Sequence, residues 1–303
     1  MMIWKLKIPL LIFAIFFIII QINYGKNNYL NNENEEYNDT FTRNILYPLS
    51  AAAFSSNPNN CLNNIFKNYT LIRQVTNKCD VISDDSCSGF VVVDYDKKAI
   101  FIIFRGSIND KQVALEAIDT LLKKDKFIGG GYVSSYYNNA FQVVWDSGIK
   151  DAYLMTKNKF PTFETWVTGH SLGAAMASIG ATTISYLKYT NVNNVKLLTF
   201  GEPRTGDKDY AMAVDNLISY SYRVIHSKDP VPHLPYKNLL GYVHHKREVF
   251  YDNNMAPGSN YSICSDEDDS DKCSNKNFNF DFYDHRLYFN RDILKFVEEN
   301  CKY

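Results

Sequence analysis

The 303 residues are 46% hydrophobic and 15% aromatic, enough apolar material for one good-sized domain or two small ones. A formal net charge of -1 gives no electrostatic case for nucleic-acid binding.

The chain opens on a targeting segment. Lys5 and Lys7 precede an apolar run from Ile8 to Ile20, too short and too close to the terminus to favour a spanning helix. Residues 1–25 read as a secretory signal peptide, with an uncleaved anchor as the alternative. Residues 26–40 are rich in Asn and Glu and read as a disordered leader. No Pro/Gly linker follows, so residues 41–303 read as one domain. Secretion suits the six cysteines, Cys61, Cys79, Cys87, Cys264, Cys273 and Cys301. They allow about 15 pairings. The simplest joins near neighbours, Cys79 with Cys87 and Cys264 with Cys273, leaving Cys61 to meet Cys301. No Cys-x-x-Cys pair supports a metal instead. Asn38, Asn68 and Asn260 head three glycosylation sequons.

"GFVVVDY" and "AIFIIFR" are β-branched and aromatic runs joined by Asp96-Lys97-Lys98, a predicted hairpin. Residues 132–158 read as mostly helix, interrupted only by Gly148 and ended by Pro161. "TFETWVT" predicts a strand and "SLGAAMASIGATTISYLKY" a helix of small residues. "VKLLTF" is a strand, "DKDYAMAVDNLI" a helix and "YSYRVIH" a strand. Such alternation predicts an α/β fold, and the hairpin makes its central sheet mixed, not purely parallel.

Between the "TFETWVT" strand and the helix lies Gly169-His170-Ser171-Leu172-Gly173. A serine at a sharp strand-to-helix turn is the nucleophile-elbow arrangement. The turn strains the serine backbone, and Gly169 and Gly173 remove side chains that would strike the neighbouring strand and helix. The helix N-terminus aims N–H groups at a developing oxyanion. The bland alternative is a serine in a glycine-rich turn.

An elbow serine needs an acid and then a histidine further along the chain. Among Asp207, Asp209, Asp215 and Asp229, the first two suit a helix start. Asp229 is favoured, because it follows the "YSYRVIH" strand and Pro230 and Pro232 keep it out of a helix. Of His226, His233, His244, His245 and His285, the last stands latest, in "FYDHRLYF", and is the expected base. Ser107, just past the "FIIFR" strand, offers a second oxyanion donor beside Leu172. "DEDDSD" at 266–271 lacks the glycine and terminal Glu of a calcium loop.

The ordered blocks "VVDYDKKAIFIIFRGS", "GYVSSY", "WVTGHSLGAAMASIGA", "LLTFGEPRTGD", "YRVIHSKDPVPHLP", "GYVHHKREVFY" and "DHRLYF" resemble those of the class 3, fungal-type triacylglycerol lipases. The resemblance covers about residues 60–303. It implies an α/β-hydrolase fold with a mixed, mostly parallel sheet and helices on both faces. It also implies a Ser171–Asp229–His285 triad, oxyanion donors at Ser107 and Leu172, and no cofactor. The near-neighbour cysteine pairing is similar to that of the fungal enzymes. The family carries a lid between the oxyanion serine and "GYVSSY". Here Leu115, Ile118 and Leu122 fall on one helical face of that interval, as an amphipathic cover or a static surface helix. No Trp or Phe lies between Ile108 and Lys126, a departure from many fungal lids. The expected substrate is a lipid or other ester at a lipid–water interface, with no protein partner. A phospholipase, a soluble-ester esterase of feruloyl type and an inert lipid-binding relative are the alternatives.

Overall fold

The computed structural model describes residues 36–79, 86–107, 123–237, 239–265, 272–277 and 279–302. Among these, β1 (Tyr69–Lys78), β2 (Ser86–Asp94), β3 (Ala99–Phe104), β4 (Glu164–His170), β5 (Val195–Phe200), β6 (Tyr220–His226), β7 (Glu248–Tyr251) and β8 (Ser262–Cys264) form one sheet in chain order. Pairing from β3 through β7 is parallel, and the pairs at both edges are antiparallel. The β2–β3 hairpin turns where the sequence places it. The Asp94 carboxylate accepts the N–H groups of Asp96 and Lys97 at 2.9 and 3.3 Å and closes the turn.

β4 shows why both faces need helices. Its side chains alternate between two buried layers. Thr165 bonds Tyr153 on α4 (Lys150–Lys159) at 3.1 Å, and Val167 joins the core under α5 (Leu172–Tyr186). On the opposite face Trp166 meets Phe41 at 4.8 Å between ring centroids, and Thr168 bonds Ser50 of α1 (Tyr47–Ala52) at 3.2 Å. Each large aliphatic side chain buried this way contributes about 1.5–3 kcal/mol. Ala174, Ala175, Ala177 and Gly180 keep α5 slim, and nearly its whole length is buried against the sheet.

Three local features depart from the sequence reading. The strand β1 carries no alternating apolar signal, since much of it is exposed, and it was not expected. The predicted helix over 132–158 begins later. Residues Tyr132–Ser134 form a short strand, pairing with Gly206 and with Lys124–Lys126. The helix proper runs as α3 (Ser135–Val144) and α4, broken at Gly148, whose φ of 128° only glycine adopts readily. Finally, the expected leader over 26–40 enters the described residues only at its end, where Asp39 and Thr40 open a short helix (Asp39–Phe41). Asn38 caps Phe41 N–H at 2.9 Å, and Asp39 pairs with Arg43 at 2.9 Å and accepts the Tyr251 hydroxyl. Those bonds join residues 38–40 to the folded unit, which spans Asn38–Tyr303.

The disulfides are Cys61–Cys301, Cys79–Cys87 and Cys264–Cys273. The first spans 240 positions of sequence, and a loop of that size restricts the unfolded chain by about 5 kcal/mol. The lid positions Leu115, Ile118 and Leu122, the signal segment 1–25 and the acidic stretch 266–271 lie outside the described residues.

Candidate active site

The end of β4 sets the first element. Gly169 and Gly173 are packed so closely that a Cβ on Gly169 would lie 2.3 Å from the Gly173 carbonyl oxygen. One on Gly173 would lie 2.2 Å from that of Phe104. This approach brings the start of α5 over the end of β3. Between the two glycines Ser171 takes φ 59° and ψ -128°, a conformation that disfavours any side chain. Its N–H donates to the Phe200 carbonyl at 3.0 Å, which ties the turn to β5. Leu172 is the first residue of α5, so its N–H has no acceptor within the helix.

Asp229 and His285 meet although 56 positions separate them. His285 Nδ1 lies 2.9 Å from both carboxylate oxygens, and both side chains are fully buried. Asp229 also accepts the Tyr288 hydroxyl at 2.7 Å and the Val231 N–H at 2.9 Å. Burial alone would raise the Asp229 carboxyl. The His285 ring, the Tyr288 hydroxyl and the Val231 N–H outweigh it and hold the group below the ordinary carboxylate range. His285 stands in α7 (Phe282–Arg286), directly before the final hairpin and helix.

Two glycine-sized gaps connect the parts. A Cβ on Gly201, just past β5, would lie 2.9 Å from both Asp229 Oδ2 and the His285 ring. One on Gly106, just past β3, would lie 3.2 Å from the Ser171 Cβ. The ends of β3, β4 and β5 thus converge with the Asp229–His285 pair at the C-terminal edge of the parallel strands, where such sheets place their chemistry. Ser107 follows Gly106. Its side chain is buried, and its hydroxyl has no hydrogen-bond partner among the described residues.

The other histidines go elsewhere. His226 reaches the Asp284 and Asn253 carbonyls, and His233 packs on Phe280 at 4.9 Å. His244 faces the Pro232 carbonyl at 2.7 Å, and burial first, then Arg223 and Arg204, push its ring well below the ordinary histidine range. His245 lies in a buried polar cluster with Ser221 and Glu202. Asp207 caps the helix that follows it, at 3.0 Å from Tyr210 N–H, and Asp215 accepts Lys246 N–H at 3.0 Å. Asn38, Asn68 and Asn260 are exposed. Sequence reasoning missed Tyr288, Gly201 and the bond made by His170. Tyr288 stood three positions after His285, and Gly201 directly after a predicted strand, as signals to be read.

A strained serine between a parallel strand and a helix, over a mixed, mostly parallel sheet, defines an α/β-hydrolase. The model of the family described as Lipase (class 3) matches residues 101–239. A lipase of Caenorhabditis elegans is 32% identical over 322 residues, covering 96% of this chain and 89% of that protein. The chain belongs to the class 3 lipase family, a family of carboxylic ester hydrolases. The secreted mono- and diacylglycerol lipase 1 of Fusarium solani is 34% identical over 163 residues, 54% of this chain and 47% of that one. This chain therefore spans about half of that fungal relative's length. Among solved structures, the lipase of Rhizopus microsporus var. chinensis superposes with a TM-score of 0.72 at 22% identity. It covers 85% of this chain and 89% of its own, a likeness of fold.

Proposed function

We propose that the protein is a secreted acylglycerol lipase working through Ser171, Asp229 and His285. The observation that carries this reading is the buried Asp229–His285 pair at the same sheet edge as the strained Ser171. In the proposed reaction His285 takes the Ser171 proton through Nε2 as the hydroxyl attacks an ester carbonyl. Asp229 fixes the ring through Nδ1 and stabilises its cationic form. The N–H groups of Ser107 and Leu172 hold the tetrahedral oxyanion, each worth about 3 kcal/mol in comparable sites. The Ser107 hydroxyl, buried and without a partner among the described residues, is a third available donor. His285 then gives the proton to the leaving alcohol, and water clears the acyl-enzyme by the reverse path.

The substrate class rests on relatives named as lipases and as mono- and diacylglycerol lipases. Secretion rests on the leader-like N-terminus, the three disulfides and those secreted relatives. The exposed Asn38, Asn68 and Asn260 are the proposed glycan acceptors, and Leu115, Ile118 and Leu122 the apolar face of the proposed lid.

The test is purified protein against tri-, di- and monoacylglycerols, phospholipids and soluble short-chain esters, with Ser171→Ala in parallel. Acylglycerol hydrolysis lost in the variant is the expected result. Undiminished hydrolysis in Ser171→Ala would remove the serine from the scheme. Turnover confined to phospholipids or soluble esters would replace the substrate class.

A further inference from the structure

The turn bearing His285 is held from two sides by histidines that the hydrolytic scheme does not use. On one side His226, at the end of β6, has its Nδ1 3.2 Å from the Asp284 carbonyl oxygen and its Nε2 2.9 Å from that of Asn253. The Lys228 N–H donates to the Asp284 carboxylate at 3.0 Å, and the Asp281 N–H to the Lys228 carbonyl at 3.0 Å. These contacts fasten α7 to the loop after β6.

On the other side His170 makes a contact of a different kind. Its Nε2–H donates to the carbonyl oxygen of His285 itself at 2.6 Å. The two imidazole rings lie against each other, with centroids 4.5 Å apart. His170 is fully buried, and the next residue in the chain is Ser171.

We propose that His170 is a positioning residue for ester hydrolysis, fixing the height and tilt of the His285 imidazole relative to the serine it activates. This rests on the reading of Ser171 as nucleophile and His285 as base.

Three contacts then define the working ring. Asp229 holds its Nδ1 edge, His170 holds the backbone from which it hangs, and the His170 ring limits rotation of its plane. One peptide bond joins the brace to the nucleophile. A shift of the β4 end therefore carries Ser171 and the His285 carbonyl together, and their separation is preserved. Reaction rates depend steeply on that separation, with a displacement near 1 Å costing about 100-fold.

The chemistry of His170 suits the task. Burial first and the neighbouring His285 second lower its ring to about 3. It stays neutral where hydrolysis runs, with one N–H to give, and the carbonyl acceptor places that proton on Nε2. Neutrality matters because His285 becomes cationic when it takes the serine proton, and a second cation beside it would oppose the step. His170 Nδ1 has no partner among the described residues. Its hydrogen bond is directed at His285, and its ring, besides facing that of His285, meets Phe54 and Tyr288 at 6.3 and 5.8 Å between centroids.

The test compares His170→Phe, which keeps a ring face and loses the N–H, with His170→Gln, which keeps a donor near the Nε2 position. The readouts are kcat and KM on a soluble short-chain ester, thermal unfolding, and the low-field NMR resonance of the proton between His285 and Asp229. His170→Phe is expected to lower kcat about 10- to 100-fold with KM within about twofold, and to shift that resonance. His170→Gln is expected to recover most of kcat. A parental kcat in His170→Phe, or equal losses in the Phe and Gln variants, overturns the proposal. Ser171→Ala and His285→Ala run beside them. Activity surviving in either takes down the site assignment itself, whereas two dead controls with a parental His170→Phe take down only the positioning role.

Discussion

Two sets of serine, histidine and carboxylate stand in this molecule, and we propose only one of them as an active site. The outer set is Ser171, His285 and Asp229. The inner set is Ser221, His245 and Glu202. Ser221 Oγ lies 3.0 Å from His245 Nδ1, and His245 Nε2 lies 3.4 Å from Glu202 Oε2. All three inner side chains are almost wholly buried. Residue types do not separate the sets; chain order, backbone and location do. Ser171 follows the C-terminal end of a parallel strand, has φ 59° and opens a helix. Ser221 is the second residue of β6, paired with Leu197 three positions before the end of β5, in ordinary extended backbone with no helix start behind it. The carboxylates differ as well. Asp229 takes the Nδ1 edge of its histidine, opposite the Nε2 that we assign to the serine. Glu202 takes Nε2, and it is further engaged by the Thr199 and Thr205 hydroxyls at 2.7 and 3.1 Å. Burial alone would raise the Glu202 carboxyl, but His245, Thr199 and Arg223 together keep it below its ordinary range. The inner set spends its bonds on joining β5, β6 and the 242–248 segment. The outer set is assembled at an edge.

That contrast breaks most sharply at the serines. Ser171→Ala is expected to lower kcat on a soluble ester by about four to six orders of magnitude with unfolding unchanged. Ser221→Ala should leave kcat within about threefold and lower stability by about 1–2 kcal/mol, read by urea denaturation. Comparable activity losses in the two variants would merge the sets. The carboxylates should separate in the same direction with smaller spread. Asp229→Asn is expected to cost about 10⁴ in kcat through the wrong imidazole tautomer. Glu202→Ala strips a buried charge network and should cost about 3–5 kcal/mol of stability. Tyr288→Phe sharpens the comparison further, because it removes one of four bonds to Asp229 and keeps the ring packing. A kcat loss of about tenfold with little change in KM is expected, read from initial rates.

The proposed outer set can be read from the sequence because its parts obey simple chain rules. A glycine-flanked serine between an apolar strand and a small-residue helix specifies its own geometry, and Asp229 stands in a proline-rich loop just past a strand. His285 was reachable through chain order. The inner set was not legible, because Ser221, Glu202 and His245 belong to separate segments that become neighbours only in the folded chain. Tyr288 and His170 escaped for a related reason. Their roles rest on single bonds to Asp229 and to the His285 backbone, and no periodicity announces a bond across 59 or 115 positions. The fold was readable where strands are buried on both faces, as in β3 to β6. It was unreadable in β1, whose half-exposed surface mixes polar and apolar residues without alternation.

The pH dependence of stability isolates His170, the buried histidine beside the outer set. His170 falls from an ordinary value of 6.5 to about 3 in the folded protein, through burial first and the His285 ring second. Below pH 6.5 the unfolded chain takes up a proton at this residue and the folded chain does not. Acidification therefore favours unfolding throughout the window from about pH 6.5 to 3, and above that window the residue has no influence. One proton corresponds to a slope of about 1.4 kcal/mol per pH unit. Asp229 acts in the opposite region. Its depressed carboxyl contributes stability above the unfolded carboxylate value near ~3.9, lost only as the pH falls through the lower folded value. His244 is also depressed, but it is common to parent and variant and cancels in their difference. Urea denaturation of the parent and His170→Phe at pH 6, 5 and 4 should show the variant losing stability less steeply, by about one proton's worth. Identical slopes would mean that His170 takes up its proton while folded, and the neutral brace beneath His285 would then be wrong.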